Sequence, residues 1–197
     1  MVNRQTSAPP NTATLTSAIQ AACDALQAGQ IIAYPTEGVF GLGCRWQDQA
    51  AVQRLLALKQ RPVSKGLIII GSQWAHLSTL LGAVPAAQLA QIKASWPGPI
   101  TWVFPASKAA PAWITGDHST IAVRLSAHPI VQLLCDSLGQ GIVSTSANLA
   151  GEPPMRAWQT VQQQFASQVA AVIPEDAGQL EQSTPIYDAI TGQTLRQ

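Results

Sequence analysis

The chain is short of charge. Lys, Arg, Asp and Glu make up 11% of its 197 residues, against roughly 25% in ordinary soluble domains. With a net charge of +1, little long-range attraction for nucleic acid or an anionic membrane remains, and a histone-like surface is excluded. Cysteine is scarce and scattered. Cys23, Cys44 and Cys135 show no C-x-x-C spacing, which argues against a zinc site and fits a reducing compartment. No apolar run approaches the roughly 18 residues a membrane helix needs. The opening "MVNRQTSAPPNTATLT" has no apolar centre and does not read as a signal peptide. The expectation is a soluble, cytoplasmic protein with no membrane partner.

Familiar catalytic signatures are missing too. "GVFGLG" orders its glycines as G-x-x-G-x-G, not as the dinucleotide fingerprint, and there is no G-x-x-x-x-G-K-[ST] loop. His76, His118 and His128 stand apart, and no G-x-S-x-G elbow supports a Ser-His triad. No cluster of metal-ligating residues is evident, so no protein metal site is expected.

What is present alternates regularly. Residues 1–12 read as a flexible arm and 13–197 as one domain. Leu15, Ile19, Ala22 and Leu26 recur at helical spacing, and Gly29 is placed to end that helix. "QIIAYP" reads as a strand and "YPTEGVFGLG" as a glycine-rich loop. Asp48 is placed to cap a helix that Pro62 stops. "GLIIIG" reads as a buried strand, followed by helices over 73–81 and 85–95. Strands in "WPGPITWVFP" and "STIAVRL" precede a helix in "HPIVQLLCDSLG", and "GIVSTSAN" runs from strand into loop. A helix near 157–167 leads to strands "VAAVIP" and "IYDAI". Strands alternating with helices predict a three-layer α/β domain.

Two stretches gather polar groups. In "LKQRPVSK", Lys59, Arg61 and Lys65 put three cations into seven residues of a chain holding 11. Pro62 drives Arg61 toward extended backbone, where alternate residues share a face. Lys59 and Arg61 are then expected to converge on one anion, with Lys65 reaching it across the turn; a solvated helix end is the alternative. In "VSTSANLAGEPP", Ser144, Ser146 and Asn148 alternate and offer short donors and acceptors. The stretch falls where ligands of open α/β sheets bind, beyond a strand's carboxyl end. An ordinary Ser or Asx turn is the alternative.

Taken in order, "YPTEGVFGLG", "LKQRPVSKGLIII", "WPGPITWVF", "TIAVRL" with its following "AHP", and "VSTSANLAGEPP" resemble the YrdC-like family of threonylcarbamoyl-AMP synthases, in its short single-domain form. The resemblance implies a twisted mixed sheet flanked by helices, with a concave basic cavity. It also implies a nucleotidyltransferase that converts L-threonine, bicarbonate or carbon dioxide, and ATP into threonylcarbamoyl-AMP and pyrophosphate, with Mg2+ accompanying the ATP. Downstream transfer proteins would carry the threonylcarbamoyl group to tRNAs that read ANN codons. The family's K-x-R and S-x-N pairs fall on Lys59, Arg61, Ser146 and Asn148, with Lys59 and Arg61 as catalytic cations. Arg61, Lys65, Thr120, Ser146, Asn148 and Arg196 would bind ATP; Thr36, Arg124, Ser144 and Ser183 would bind threonine. Many relatives read P-T-E-T where this chain has Gly38, and often carry Asn and His where Lys65 and Ile70 stand. The competing reading is a module that binds double-stranded RNA or tRNA, weakly or as its main role, through the same cavity.

Overall fold

The computed structural model describes residues 12–149, 151–180 and 184–196. The expected arm lies almost wholly outside them, and its last residue, Thr12, opens the first helix. In chain order the elements are α1 (Thr12–Gln27), β1 (Ile32–Pro35), β2 (Phe40–Gly43), α2 (Gln49–Leu58), β3 (Ile68–Gly71), α3 (Ala86–Ala94), β4 (Thr101–Pro105), α4 (Ala112–Thr115) and β5 (Thr120–Leu125). The chain continues through α5 (Pro129–Leu138), β6 (Ile142–Ser146), α6 (Trp158–Phe165), β7 (Ala171–Val172), β8 (Ile186–Asp188) and β9 (Thr194–Arg196).

The strands form one mixed sheet in the order β7-β1-β2-β6-β3-β5-β4-β8-β9. Their two-residue period sorts neighbours into separate cores. Ile32, Tyr34, Ile70 and Ile142 pack against α1 and α5. Ala33, Ile69 and Val143 face the opposite layer, which includes Leu55 of α2, Ile92 of α3 and Phe165 of α6. The sheet is therefore covered on both faces, as the alternation of elements predicts. No helix among the described residues is long and apolar enough to cross a membrane.

Local signals account for the helix ends. Asp48 caps α2, its Oδ1 accepting from the Ala51 N–H at 2.9 Å. Gly139, with φ 64°, closes α5 in the left-handed region. The expected helix over 73–81 is instead two 3-10 turns, Trp74–His76 and Ser78–Leu80. Leu77 and Leu80 are fully buried there, and three-residue spacing suits a 3-10 turn as well as an α-helix.

The glycine-rich loop hides β2. Tyr34 pairs with Gly41, and Ile32 with Gly43. A Cβ on Gly43 would lie 2.8 Å from Tyr34 Cε1 and 2.5 Å from the Val143 carbonyl oxygen, and one on Gly41 would lie 3.1 Å from Tyr34 Cζ. Gly41 and Gly43 thus clear room for the Tyr34 ring and the adjoining strand. Phe40 and Leu42 fill the core on the other face. The short edge strand β9 also has no counterpart in the sequence reading.

Candidate functional site

The turn after α2 sets the first cation. Lys59 is the C-cap, Gln60 takes φ 48°, and the N–H groups of Gln60 and Arg61 return to the carbonyls of Ala57 and Leu56 at 3.0 and 2.9 Å. This double return is a Schellman ending, and it swings Lys59 and Arg61 apart. Arg61 Nη2 and Nε donate to the Gly66 carbonyl at 2.9 and 3.3 Å. Lys59 goes elsewhere. Its Nζ donates to the Ser146 carbonyl at 2.7 Å, to Asn148 Oδ1 at 2.9 Å and to the Asn148 carbonyl. The side chains expected to converge on one ligand therefore diverge, because the left-handed Gln60 breaks the extended alternation.

A cavity of about 320 Å³ opens beside β2, β5 and β6, lined among others by Thr36, Gly38, Arg61, Arg124, Ser144, Ser146, Thr184 and Arg196. A second, of about 310 Å³, is lined by Lys65, Thr120 and the apolar Val103, Ile114, Ile121 and Leu195. Both include Arg61, Leu67, Ile68 and Arg196, so they form two lobes of one cleft, within the usual size of small-molecule sites. Ser144 and Ser146, two apart in β6, both open onto the main lobe. Thr120 and Arg124, four apart in β5, serve one lobe each.

Eight of the eleven site residues singled out from the sequence line this cleft. Thr36, Arg61, Arg124, Ser144, Ser146 and Arg196 line the main lobe, and Lys65 and Thr120 line the other. Lys59 and Asn148 line neither. Asn148 accepts from Ser146 Oγ at 2.6 Å and donates through Nδ2 to the carbonyls of Leu149 and Glu152 at 2.9 and 2.7 Å. With Lys59 it braces the loop that carries Ser146. Ser183 lies outside the described residues. Its neighbour Thr184 was missed by the sequence reading: its Oγ1 accepts from Arg124 Nη1 at 3.0 Å, and its carbonyl from Arg196 Nη2 at 3.0 Å. No local pattern marks Thr184, since both partners are brought to it by the sheet.

The main lobe carries three guanidinium groups and no acidic lining residue. Burial, then the charge of Arg124, lowers Arg196 from the ordinary arginine value, and burial alone lowers Arg61. Arginine keeps its charge nonetheless, so the cluster is relieved by an incoming anion. Burial, followed by the charge of Arg61, pushes Lys59 down to about 8. Burial pushes the thiols of Cys44 and Cys135 up to about 12, too high to supply a thiolate nucleophile. Thr36 closes the β1–β2 turn, its Oγ1 donating to the Val39 carbonyl at 2.7 Å, and retains lone pairs for a ligand. The cleft is built to hold a polyanion beside a small polar molecule.

Comparison with known proteins identifies the family. Over 181 residues the chain is 45% identical to the Coxiella burnetii (strain RSA 493 / Nine Mile phase I) threonylcarbamoyl-AMP synthase, covering 92% of this chain and 97% of that protein. The Vibrio cholerae enzyme of the same name (serotype O1, El Tor Inaba N16961) is 48% identical over 181 residues, covering 91% and 96%. Among solved structures, P. abyssi Sua5 complexed with L-threonine superposes with a TM-score of 0.81 at 32% identity, covering 86% of this chain but 50% of that longer one. The Sua5_yciO_yrdC family model, described as telomere recombination, matches residues 24–197. The family model, the relatives and the fold agree, and the chain belongs to the Sua5/YciO/YrdC family.

Proposed function

We propose that this protein is a threonylcarbamoyl-AMP synthase, a nucleotidyltransferase that joins L-threonine, bicarbonate or carbon dioxide, and ATP into threonylcarbamoyl-AMP and pyrophosphate. The observation that carries the reading is the two-lobed cleft with Arg61, Arg124 and Arg196 around one lobe. It occurs in a chain whose relatives of that name match it over nearly its whole length, and the P. abyssi neighbour binds L-threonine.

The chemistry asks for holding rather than for a nucleophile. The threonine amine takes up carbon dioxide to give a carbamate. A carbamate oxygen then attacks the α-phosphorus, the bond to the β-phosphate oxygen breaks, and pyrophosphate leaves. Proximity and fixed positive charge are what the protein adds. In this reading Arg124, Thr36, Ser144 and the segment carrying Ser183 and Thr184 hold threonine, with Arg124 against its carboxylate. Arg61 and Arg196, on the wall between the lobes, meet the phosphates, Ser146 joins them, and Lys65 and Thr120 border the nucleoside. Lys59 and Asn148 serve the nucleotide through the Ser146 loop, which makes Lys59 a positioning residue and Arg61 the catalytic cation.

Among the described residues no three His, Cys, Asp or Glu gather to hold a metal. Magnesium would arrive on the triphosphate, held by phosphate oxygens and water, and would share in neutralising the leaving group. The product would go to proteins that transfer the threonylcarbamoyl group to tRNAs reading ANN codons, in the cytoplasm. As for RNA binding, the three arginines line a small cleft in a chain of net charge +1, whereas a duplex binder needs a broad basic face.

Purified protein mixed with ATP, L-threonine and bicarbonate is expected to release pyrophosphate and a threonylcarbamoylated nucleotide, and omission of any one component stops both. Pyrophosphate release without threonine dependence would overturn the assignment. The state of Lys59 adds a pH signature. A proton lost near pH 8 removes one positive charge and one of the three N–H groups that brace the Ser146 loop. Affinity for Mg2+-bound ATP, with threonine left out, is therefore expected to fall between pH 7 and 9.5, where the metal keeps the triphosphate fully ionised. Lys59→Arg, charged throughout, flattens the curve. Calorimetric titration across that range checks it, and a pH-independent affinity in the parent counts against the bracing role.

A further inference from the structure

Glu37 lies beside the cleft but does not line it. Both of its carboxylate oxygens turn into the protein. Oε1 accepts from Ser126 Oγ at 2.6 Å and from the Ala127 N–H at 3.1 Å. Oε2 is buried without a hydrogen-bond partner and lies 3.5 Å from Arg124 Nη2, an ion pair with both side chains largely buried. Among the described residues it is the one ion pair. The backbone of the turn is held as firmly. The N–H of Gly178 donates to the Thr36 carbonyl at 2.8 Å, and that of Leu180 to the Glu37 carbonyl at 3.0 Å. Gly178 packs so closely that a Cβ on it would stand 2.6 Å from the Glu37 carbonyl oxygen.

Arg124 is held in turn. Nη1 donates to Thr184 Oγ1 at 3.0 Å, Nη2 faces Glu37, and Nε is buried without a partner. Only 6% of Arg124 is exposed, and it sits in a lobe with two other guanidiniums. An unneutralised cation in that setting would move away from Arg61 and Arg196 and out toward water.

We infer that Glu37 is a positioning residue for the amino-acid subsite: it neutralises Arg124 and fixes the plane of its guanidinium, so that Arg124, which lines the main lobe, meets the substrate carboxylate in one orientation. It does not orient the substrate amine, since neither carboxylate oxygen faces the cleft. The inference rests on the function proposed above and deepens it. Glu37→Gln keeps the shape and an oxygen for Ser126 and Ala127, but turns an N–H donor toward Arg124. Glu37→Asp keeps the charge on a side chain one methylene shorter.

The test compares L-threonine with L-threoninol, which lacks the carboxylate that Arg124 would hold, in binding assays on parent, Glu37→Gln and Glu37→Asp proteins. Glu37→Gln is expected to weaken L-threonine binding about tenfold or more and to raise the KM for threonine. L-threoninol binding, the KM for ATP and the melting temperature should stay within about twofold or a few degrees. Glu37→Asp should recover part of the threonine affinity. Unchanged threonine binding in Glu37→Gln overturns the inference. So does a parallel loss for threonine, threoninol and ATP, which marks a role in folding alone. If the parent itself ignores L-threonine, the proposed function fails first, and the parent control makes that failure separately visible.

Discussion

Arg61→Ala is expected to slow pyrophosphate release by about 100- to 1,000-fold while changing the dissociation constant for L-threonine by less than about threefold. Arg61 stands on the wall shared by the two lobes, where a triphosphate spanning the cleft must pass. Its Nε and Nη2 are tied to the Gly66 carbonyl, so the fork is oriented before any ligand arrives. Among the described residues its Nη1 meets no protein acceptor and is free for a phosphate oxygen. A preorganised donor facing developing negative charge is commonly worth about 3–4 kcal/mol of barrier. Threonine, assigned to Arg124 rather than Arg61, should scarcely notice. Arg61→Lys keeps the charge and loses the fork, so an intermediate loss is expected. Single-turnover assays with calorimetry separate the two effects; parent-like turnover, or an equal loss of threonine affinity, would remove Arg61 from its assigned place.

Lys59→Met is expected to be costly in a different way, lowering both stability and activity. The methionine fills the volume of the lysine stem and donates nothing. The Ser146 carbonyl, the Asn148 carbonyl and Asn148 Oδ1 would then lose their shared donor in a half-buried loop. Asn148 Oδ1 keeps Ser146 Oγ and the Ser146 carbonyl keeps the Asn148 N–H, so the Asn148 carbonyl is the acceptor left unsatisfied, at about 1–3 kcal/mol, and the other two bonds to the ammonium are lost besides. The loop can recover some of that by turning toward water, so a net loss of a few kcal/mol is the working figure. For a chain of this size it corresponds to a fall in Tm on the order of 10 °C. Turnover should fall by about 100-fold or more, because Ser146 moves with the loop. Lys108→Ala is the control, its side chain being exposed and outside both lobes. Scanning calorimetry with the same turnover assay decides; a Tm within about 2 °C of the parent would show that the ammonium does not hold this loop.

Arg61 and Arg124 differ in what their removal does. Arg61 lines both lobes and forms no ion pair among the described residues, so its loss is expected to be felt in the reaction. Arg124 lines the main lobe and pairs with Glu37, so its loss is expected to be felt in threonine binding and in the packing of the turn that starts α5.

Much of this protein was legible along the chain. Asp48 as a cap, Gly139 as a stop and the alternation of strands with helices are set by contacts within about four residues, which a linear reading captures. The ordered motifs resemble one family, and the family model covers the same region. The residues gathered in the cleft were legible as types: short hydroxyls in β6, arginine in β5, a cation beside Pro62. What each side chain touches was not. Lys59 reaches oxygens 87 and 89 residues away in sequence, Ser126 bonds Glu37 across 89 residues, and Arg124 meets Thr184 across 60. Such meetings depend on sheet register and on one left-handed residue, Gln60, that sends Lys59 and Arg61 separate ways. The same holds for "GVFGLG": Gly38 and Gly41 line the main lobe, while Gly41 and Gly43 also make room for Tyr34, a partner chosen by strand pairing. Local order follows from near neighbours, whereas the site is decided only when distant segments pack.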